Sequence, residues 1–438
     1  MGGQGSDGKR GPLAGYRVLD ISQMIAGPVG CLLLADMGAE VIKVEPIDGE
    51  STRHFEQIVP HEAPAFILFN RGKRGIPLDL RLAEGREVLR RLVRGADAAV
   101  VGYRPDVCRR FGLDYETLAA INPRLVYLQN TAFGSKGPLA EQGGYDLIVQ
   151  SLAGLLAVNQ GLDAAGHPRP ITPAIADFTT AALIAWAITG GLLARERMGT
   201  GQRIETSLLA GALLTELGQV RFFERTGAEA LAQSLEQLQA WRAEGKPWAE
   251  QLTLRAESTR AAAGNIYYRA YATRDGYISV ACLNNPTRVK FLEAVGLGDP
   301  RMEGGRLRVG GQASEEERRL LLELVVEAER LLRSHSSEEW LEVFFANHVP
   351  AGPLRFPEEL FADEQVLAND YIVEVQHPAV GGYKTTAPPV RMEQTPLSIR
   401  ASAPGFGEHT RAILSELGYD AEQAARLIEL GAVACAAD

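Results

Sequence analysis

Arg17-Val-Leu-Asp-Ile-Ser22 opens as an apolar run with strand character, and Gly27-Pro28 breaks it. Val29 to Met37 then carries helical periodicity, Gly38 stops it, and Val41-Ile-Lys-Val-Glu45 reads as a second strand. The pattern repeats further on: helix Ala83 to Val93, strand Ala96 to Val101, helix Tyr115 to Ile121, strand Leu125 to Gln129. Strands that alternate with helices predict a parallel sheet with helices on both faces. The ligand of such a sheet sits beyond the carboxyl ends of its strands, where Ser22 to Pro28 and Val101 to Pro105 fall.

The rest of the chain extends this frame. Tyr145 to Val158 and Thr179 to Leu193 read as long helices on the sheet, Arg203 to Thr206 as a last strand, and Ser207 to Arg225 as a helix. The expected organisation is a large α/β domain over residues 12–225, a helical linker over 226–262, a smaller α+β domain over 263–347, and a segment over 348–438 that returns to the large domain. The smaller domain is marked by a hairpin signal at Asp275-Gly276, flanked by strand-like residues, and by helices Thr287 to Ala294, Glu315 to Ser334 and Glu338 to Ala346. Helices His409 to Leu417 and Ala421 to Leu430 close the chain.

Composition narrows the function. The chain has 438 residues, is 46% hydrophobic and 23% charged, and carries a net charge of -10. An acidic chain argues against general nucleic-acid binding, because phosphates demand a basic footprint. Cys31, Cys108, Cys282 and Cys435 are far apart and form no CxxC pair, so neither a zinc site nor a disulfide framework is expected and a cytoplasmic location is. Met1 to Gly11 reads as a polar, Gly-rich tail without the apolar segment of a signal peptide. The apolar run Ala181 to Leu193 is shorter than a membrane span, so no membrane partner is expected.

Several catalytic motifs are missing. No GxGxxG follows the first strand, which disfavours a dinucleotide dehydrogenase. There is no Walker A motif, no HExxH and no GxSxG. The seven histidines form no metal pattern, and His54 and His61 lie in a polar loop with the look of surface residues. What remains is basic: Asn70-Arg-Gly-Lys-Arg74, then Ile76-Pro-Leu-Asp-Leu-Arg81, and Tyr103-Arg-Pro-Asp-Val-Cys-Arg-Arg-Phe-Gly112 after a strand. Arginines suit a phosphate by geometry and permanent charge. The plainer reading makes each of them a surface residue.

Asp177 stands out in Pro173-Ala-Ile-Ala-Asp177-Phe-Thr-Thr180, the only charge from Thr172 to Ala194. It falls at or beside the first turn of an apolar helix. A carboxylate there is either an N-cap for orphan backbone amides or a reagent. With no serine, cysteine or histidine nucleophile indicated nearby, the carboxylate itself would have to react. The positive end of the helix would hold it ionised at neutral pH.

On these residues the chain resembles a family. Val18-Leu-Asp20, Ala26-Gly-Pro28 and Leu34-Ala-Asp-Met-Gly-Ala-Glu-Val-Ile-Lys-Val-Glu-Pro46 look like the opening block of the class III CoA-transferases, the CaiB/BaiF group that includes formyl-CoA and carnitine CoA-transferases. Asn70 to Leu80, Arg104-Pro105, Phe111-Gly-Leu113, Phe133-Gly-Ser-Lys-Gly-Pro138, Gly144-Tyr-Asp-Leu-Ile148 and Ala176-Asp177 continue the resemblance. Val349-Pro-Ala-Gly-Pro353, His377-Pro378, Pro388-Pro389 and Pro404-Gly-Phe-Gly-Glu-His409 resume it. It implies a Rossmann-like fold in an interlocked homodimer, with acyl-CoA and an organic acid as substrates and no permanent cofactor or metal. It makes Asp177 the nucleophile and places CoA contacts at Ile25, Ala26, Leu78, Asp79, Leu80, Arg81, Gly102, Tyr103, Arg104, Arg110, Gly143, Gly144, Tyr145 and Asp146. The implied reaction moves CoA between acids, with a dicarboxylate thioester such as succinyl-CoA as the expected donor.

The chain departs from the family at three places. Gln23 stands where members often carry Arg, Val101-Gly102 where they carry Glu-Asn, and the glycine-rich lid of formyl-CoA transferase gives way to Ala262 to Tyr271 with its aromatic residues. The α-methylacyl-CoA racemases are similar too, but they place a histidine where Tyr145 stands, and a phenol with an ordinary pKa of about 10 exchanges protons poorly at neutral pH. A CoA-binding protein without activity is the third reading, since a fold alone does not fix a function.

Overall fold

A computed structural model describes residues 10–257, 265–308 and 314–436. They form two compact units. One comprises the chain up to Gly161, Arg169–Phe223 and the stretch from Gln365 onward; the other comprises Leu162–Pro168 and Glu224–Glu364.

The first unit is built on six parallel strands. In chain order its elements are β1 (Arg17–Ile21), α1 (Ala26–Asp36), β2 (Glu40–Pro46), α2 (Pro64–Phe69), β3 (Lys73–Leu78), α3 (Ala83–Arg94), β4 (Ala98–Val101), α4 (Pro105–Phe111), α5 (Tyr115–Ile121), β5 (Val126–Thr131), α6 (Asp146–Ala153), α7 (Leu155–Asn159), α8 (Ile175–Met198), β6 (Gln202–Ser207) and α9 (Leu208–Thr215). The strand order is β3-β2-β1-β4-β5-β6, the doubly wound arrangement. The α/β expectation holds.

Side-chain alternation sorts the strands onto two faces. Leu19, Ile21, Ile42, Ile76 and Ala99 face α3, α5 and two C-terminal helices, Thr410–Glu416 and Ala421–Glu429. Val18, Val41, Ala98, Val100 and Val126 face α1, α8 and α9. The C-terminal residues also cover an edge: Leu78 of β3 bridges Val433, the Asp79 amide donates to Ala432 O at 2.9 Å, and the Ala434 amide donates to Pro77 O at 3.3 Å.

Four element boundaries differ from expectation. α1 starts at Ala26 and takes Pro28 into its first turn, where the missing N–H costs nothing. The helix expected over Tyr145 to Val158 is split at Gly154, which has φ +88°. The helix expected over Ser207 to Arg225 ends at Thr215. α8 runs 24 residues, longer than expected, and is long and apolar enough by length and composition to cross a bilayer. Its Ala181, Ile184, Ile188 and Leu192 are buried in the core shared with α1 and the sheet, while Trp186 is 74% exposed.

The second unit holds a three-stranded antiparallel sheet. Tyr268–Ala272 and Tyr277–Ala281 form the hairpin expected at Asp275-Gly276, and Ala351–Pro353 pairs with its second strand. Helices Asn285–Val295, Glu315–Leu332 and Ser337–Ala346 pack there around Phe291, Trp340 and Phe344. Residues 224–257 hold two helices, Glu224–Ala243 and Trp248–Glu257, and the last residues of the expected linker, 258–262, lie outside the described ones. Of the aromatic stretch Ala262 to Tyr271, the first three residues lie outside the described ones. Tyr267 and Tyr271 are core residues, bonded to Asp299 Oδ2 at 2.7 Å and Ile266 O at 2.6 Å, and Tyr268 is exposed.

Candidate active site

The strand order reverses between β1 and β4, and a crevice opens at their carboxyl ends. A cavity of about 600 Å³ lies there. The turn after β1 brings Gln23, Met24, Ile25 and Ala26 to it; the turn after β4 brings Gly102, Tyr103 and Arg104; the loop before α6 brings Gly143, Gly144, Tyr145 and Asp146. Asp177 and Ala174, from the start of α8, complete the wall.

Two glycines let these walls close. A Cβ on Gly102 would stand 2.8 Å from Ser22 Cβ, and one on Gly144 would stand 2.7 Å from the Phe133 ring. Only a residue without a side chain fits either place.

Asp177 is the third residue of α8 and does not cap it. Ala174 holds the cap position and offers no side-chain acceptor. The acceptor comes from α6: Asp146 Oδ1 takes the amides of Ala176 at 2.9 Å and Asp177 at 3.3 Å. The expectation of a fully ionised Asp177 is also corrected. Burial raises its pKa to about 7, the Asp146 charge adds to the rise, and the backbone amide of Ala26 opposes it. The amides of that helix end go to Asp146 instead.

A second cavity, of about 260 Å³, adjoins the first and shares Tyr103 and Val107 with it. Ile21, Val44, Leu78, Leu80 and Phe111 make it mainly apolar, and Asp79 and Arg81 stand at it, paired at 2.7 Å. The fourteen expected CoA contacts thus divide. Nine surround Asp177 and four line the adjoining cavity. Arg110 is in neither: it faces a small separate cavity with Arg86 and Arg90, its guanidinium 4.5 Å from the Phe111 ring centroid.

Sequence reasoning missed Asn130 and Thr131 at the end of β5, Ser51, Gln142 and Leu208. The first two could have been found, because they end a recognisable strand at the ligand side of the sheet. Gln23, noted as a departure, lies against Tyr103, whose hydroxyl is pushed up to about 12 mainly by burial.

The basic segment Asn70 to Arg74 is not a phosphate site. It enters β3 from the amino end, away from the cavity. Arg71 pairs with Asp36 at 2.7 Å, and Arg74 pairs with Glu40 at 2.6 Å and Glu416 at 2.7 Å. Lys73 is buried and bonds Asp20 Oδ2 at 2.7 Å, Pro28 O at 2.8 Å and Asn70 Oδ1 at 2.6 Å. Lys43, also buried, contacts Asp20 and Glu50 and donates to Ser22 O at 2.8 Å. These ions brace the turn between β1 and α1 that presents Ala26 to Asp177.

The strap after β2 is held in the same way. Arg53 is fully buried, forks onto Glu45 at 2.7 and 2.9 Å, donates to His61 O and Pro404 O, and lies 3.4 Å from the Phe66 ring centroid. His61 stacks on Phe406 with centroids 4.6 Å apart, so it is not the surface residue expected.

Comparison with known proteins agrees with this arrangement. The model of CoA-transferase family III matches residues 13–410. The chain is similar to the succinate–glutarate CoA-transferase of Agrobacterium fabrum, at 32% identity over 93% of this chain and 96% of that one. It is similar to the human succinyl-CoA:glutarate CoA-transferase, at 30% identity over 96% of this chain and 90% of the relative. The crystal structure of a CaiB/BaiF family protein from Brucella suis superposes with a TM-score of 0.70 at 29% identity, covering 93% of this chain and all of that chain. The strand order, the crevice at the switch point and these matches lead to one conclusion: the chain belongs to CoA-transferase family III.

Proposed function

We propose that this transferase moves CoA from an acyl-CoA donor to a carboxylic acid through covalent intermediates on Asp177. The observation that carries the reading is the Asp177 carboxyl: half-buried on the wall of the crevice cavity, spared from helix capping, and met by an amide from a second helix.

In the first step an Asp177 oxygen attacks the thioester carbonyl. The oxyanion collapses, the C–S bond breaks, and a mixed anhydride and CoA thiolate result. The thiolate attacks the aspartyl carbonyl, forming an aspartyl-CoA thioester and releasing the donor acid as carboxylate. The acceptor carboxylate attacks that thioester and regenerates thiolate and a second anhydride. Thiolate attack on the acceptor carbonyl frees Asp177 and the new acyl-CoA. Each oxyanion calls for backbone donors, and the first turn of α1 supplies amides at this wall. The adjoining apolar cavity suits the adenine ring, and Arg81 and Arg104 suit phosphates.

The names of the relatives support dicarboxylates of the succinate and glutarate kind as donor and acceptor. The same reading includes a homodimer, supported by the exposed apolar residues Leu213, Leu214, Leu217, Val220, Phe222 and Phe223. The test is incubation with succinyl-CoA and hydroxylamine followed by peptide mass spectrometry. A hydroxamate on Asp177 is expected, and undiminished transfer by Asp177→Ala would overturn the proposal.

A further inference from the structure

We infer that Asp146 is the positioning residue of the nucleophile: by ending the first turn of α8 from outside, it frees the Asp177 carboxylate and sets its direction. The inference rests on the reading of Asp177 given above.

Both Asp146 oxygens are occupied. Oδ1 accepts from the amides of Ala176 and of Asp177 itself, and Oδ2 accepts from Gln150 Nε2. Gln150 is fully buried and ties the same helix to the strand of chain that precedes α8. Its Nε2 donates to Ile171 O at 3.0 Å, and its Oε1 accepts from the Ile171 amide at 2.8 Å. α6 therefore grips both the approach to α8 and its first turn. An acidic residue inside the first turn is ordinarily drawn to the free amides there. Here another carboxylate already holds two of them, and Asp177 meets the Ala26 amide of α1 instead.

The arrangement also brings a second carboxylate to bear on Asp177. The titratable and charged groups that line the cavity with Asp177 are Asp146 from α6, Tyr145 just before it, and Tyr103 and Arg104 from the turn after β4. Arg104 is half-exposed and paired with Asp106 at 3.2 Å. Asp146 is the charge that acts on Asp177, and it disfavours ionisation. One residue thus sets the aim of the nucleophile and adds to the rise in pKa that burial causes.

Two variants test this. Asp146→Asn keeps an oxygen for the α8 amides and loses the charge. Its Nδ2 then faces the Gln150 Nε2 donor, so its kcat falls, though less than that of Asp146→Ala, and the acidic limb of its kcat–pH profile moves to lower pH. Asp146→Ala loses the cap, and its kcat falls about tenfold or more while KM for acyl-CoA changes less than about twofold. A raised KM with unchanged kcat in Asp146→Ala, or an unmoved acidic limb in Asp146→Asn, overturns the inference. Should Asp146→Ala not fold, Asp146→Asn decides, and a raised KM with unchanged kcat there also overturns the inference. Failure of the underlying reading shows elsewhere: the parent protein would form its hydroxamate on a residue other than Asp177.

Discussion

The Asp177 carboxylate and the Ala26 amide meet from the first turns of two different helices, α8 and α1. Their meeting depends on how closely those helices pack. A Cβ on Gly30 of α1 would stand 2.8 Å from Ile184 and 3.0 Å from Ala181 O of α8. Gly30→Ala is expected to push the helices apart, at a cost of about 1–3 kcal/mol. It should lower kcat more than it raises KM, because the nucleophile loses its partner and not the cofactor its cavity. Urea unfolding and steady-state kinetics on the same variant check both.

A pKa of about 7 puts the ionisation of Asp177 in the working range. Only the carboxylate attacks, so kcat should fall about tenfold per pH unit below roughly pH 6 and level off above roughly pH 8. Stability moves the other way. Because the folded pKa lies above the ordinary carboxyl value, the folded state binds the extra proton, and stability falls as pH rises from about 4 toward 7. Asp177→Asn removes that loss. It should stabilise the protein by about 1–2 kcal/mol at pH 8 and by almost nothing at pH 4, read from denaturant midpoints.

Arg53→Lys keeps the charge and loses the fork onto Glu45. A buried pair with a broken partner costs about 3–5 kcal/mol, and a lysine restores part of that, so a loss of about 2–3 kcal/mol is expected. The strap after β2 carries Ser51 to one cavity and Asp48 to the other. KM for acyl-CoA should therefore rise in the same variant, and thermal melts with kinetics will show whether the two effects travel together.

Arg81 is exposed and already paired with Asp79. Arg81→Ala should raise KM for acyl-CoA about three- to tenfold with little change in kcat, since it removes binding and not transition-state contact. The effect should shrink with added salt, because exposed charges are screened. A KM series from 20 to about 500 mM salt tests this.

Much of the fold could be read directly, because the strands of the sheet interior are short apolar runs set between helices. β3 escaped, since Gly75 and Pro77 weaken any strand reading of Lys73 to Leu78. Pro77 is tolerated there because β3 lies at the sheet edge. The missed roles share another cause. Local rules make Asp177 its own helix cap, yet the cap comes from Asp146, far upstream. Arg71 and Arg74 look available for phosphate, yet Asp36, Glu40 and Glu416 already claim them. Patterns along a chain reveal elements well and reveal partners from remote segments poorly.

The contact of Ala432 to Ala434 with β3 has a practical side. These residues bond the very stretch, Pro77 to Asp79, whose next residues form a wall of the apolar cavity. Trimming the chain before Ala432 would leave a strand edge with unsatisfied amides and carbonyls, the surface on which chains stick to one another. A purification tag joined close behind Ala434 would tug on the same seam, so expression yield and CoA affinity should both respond to what is attached there.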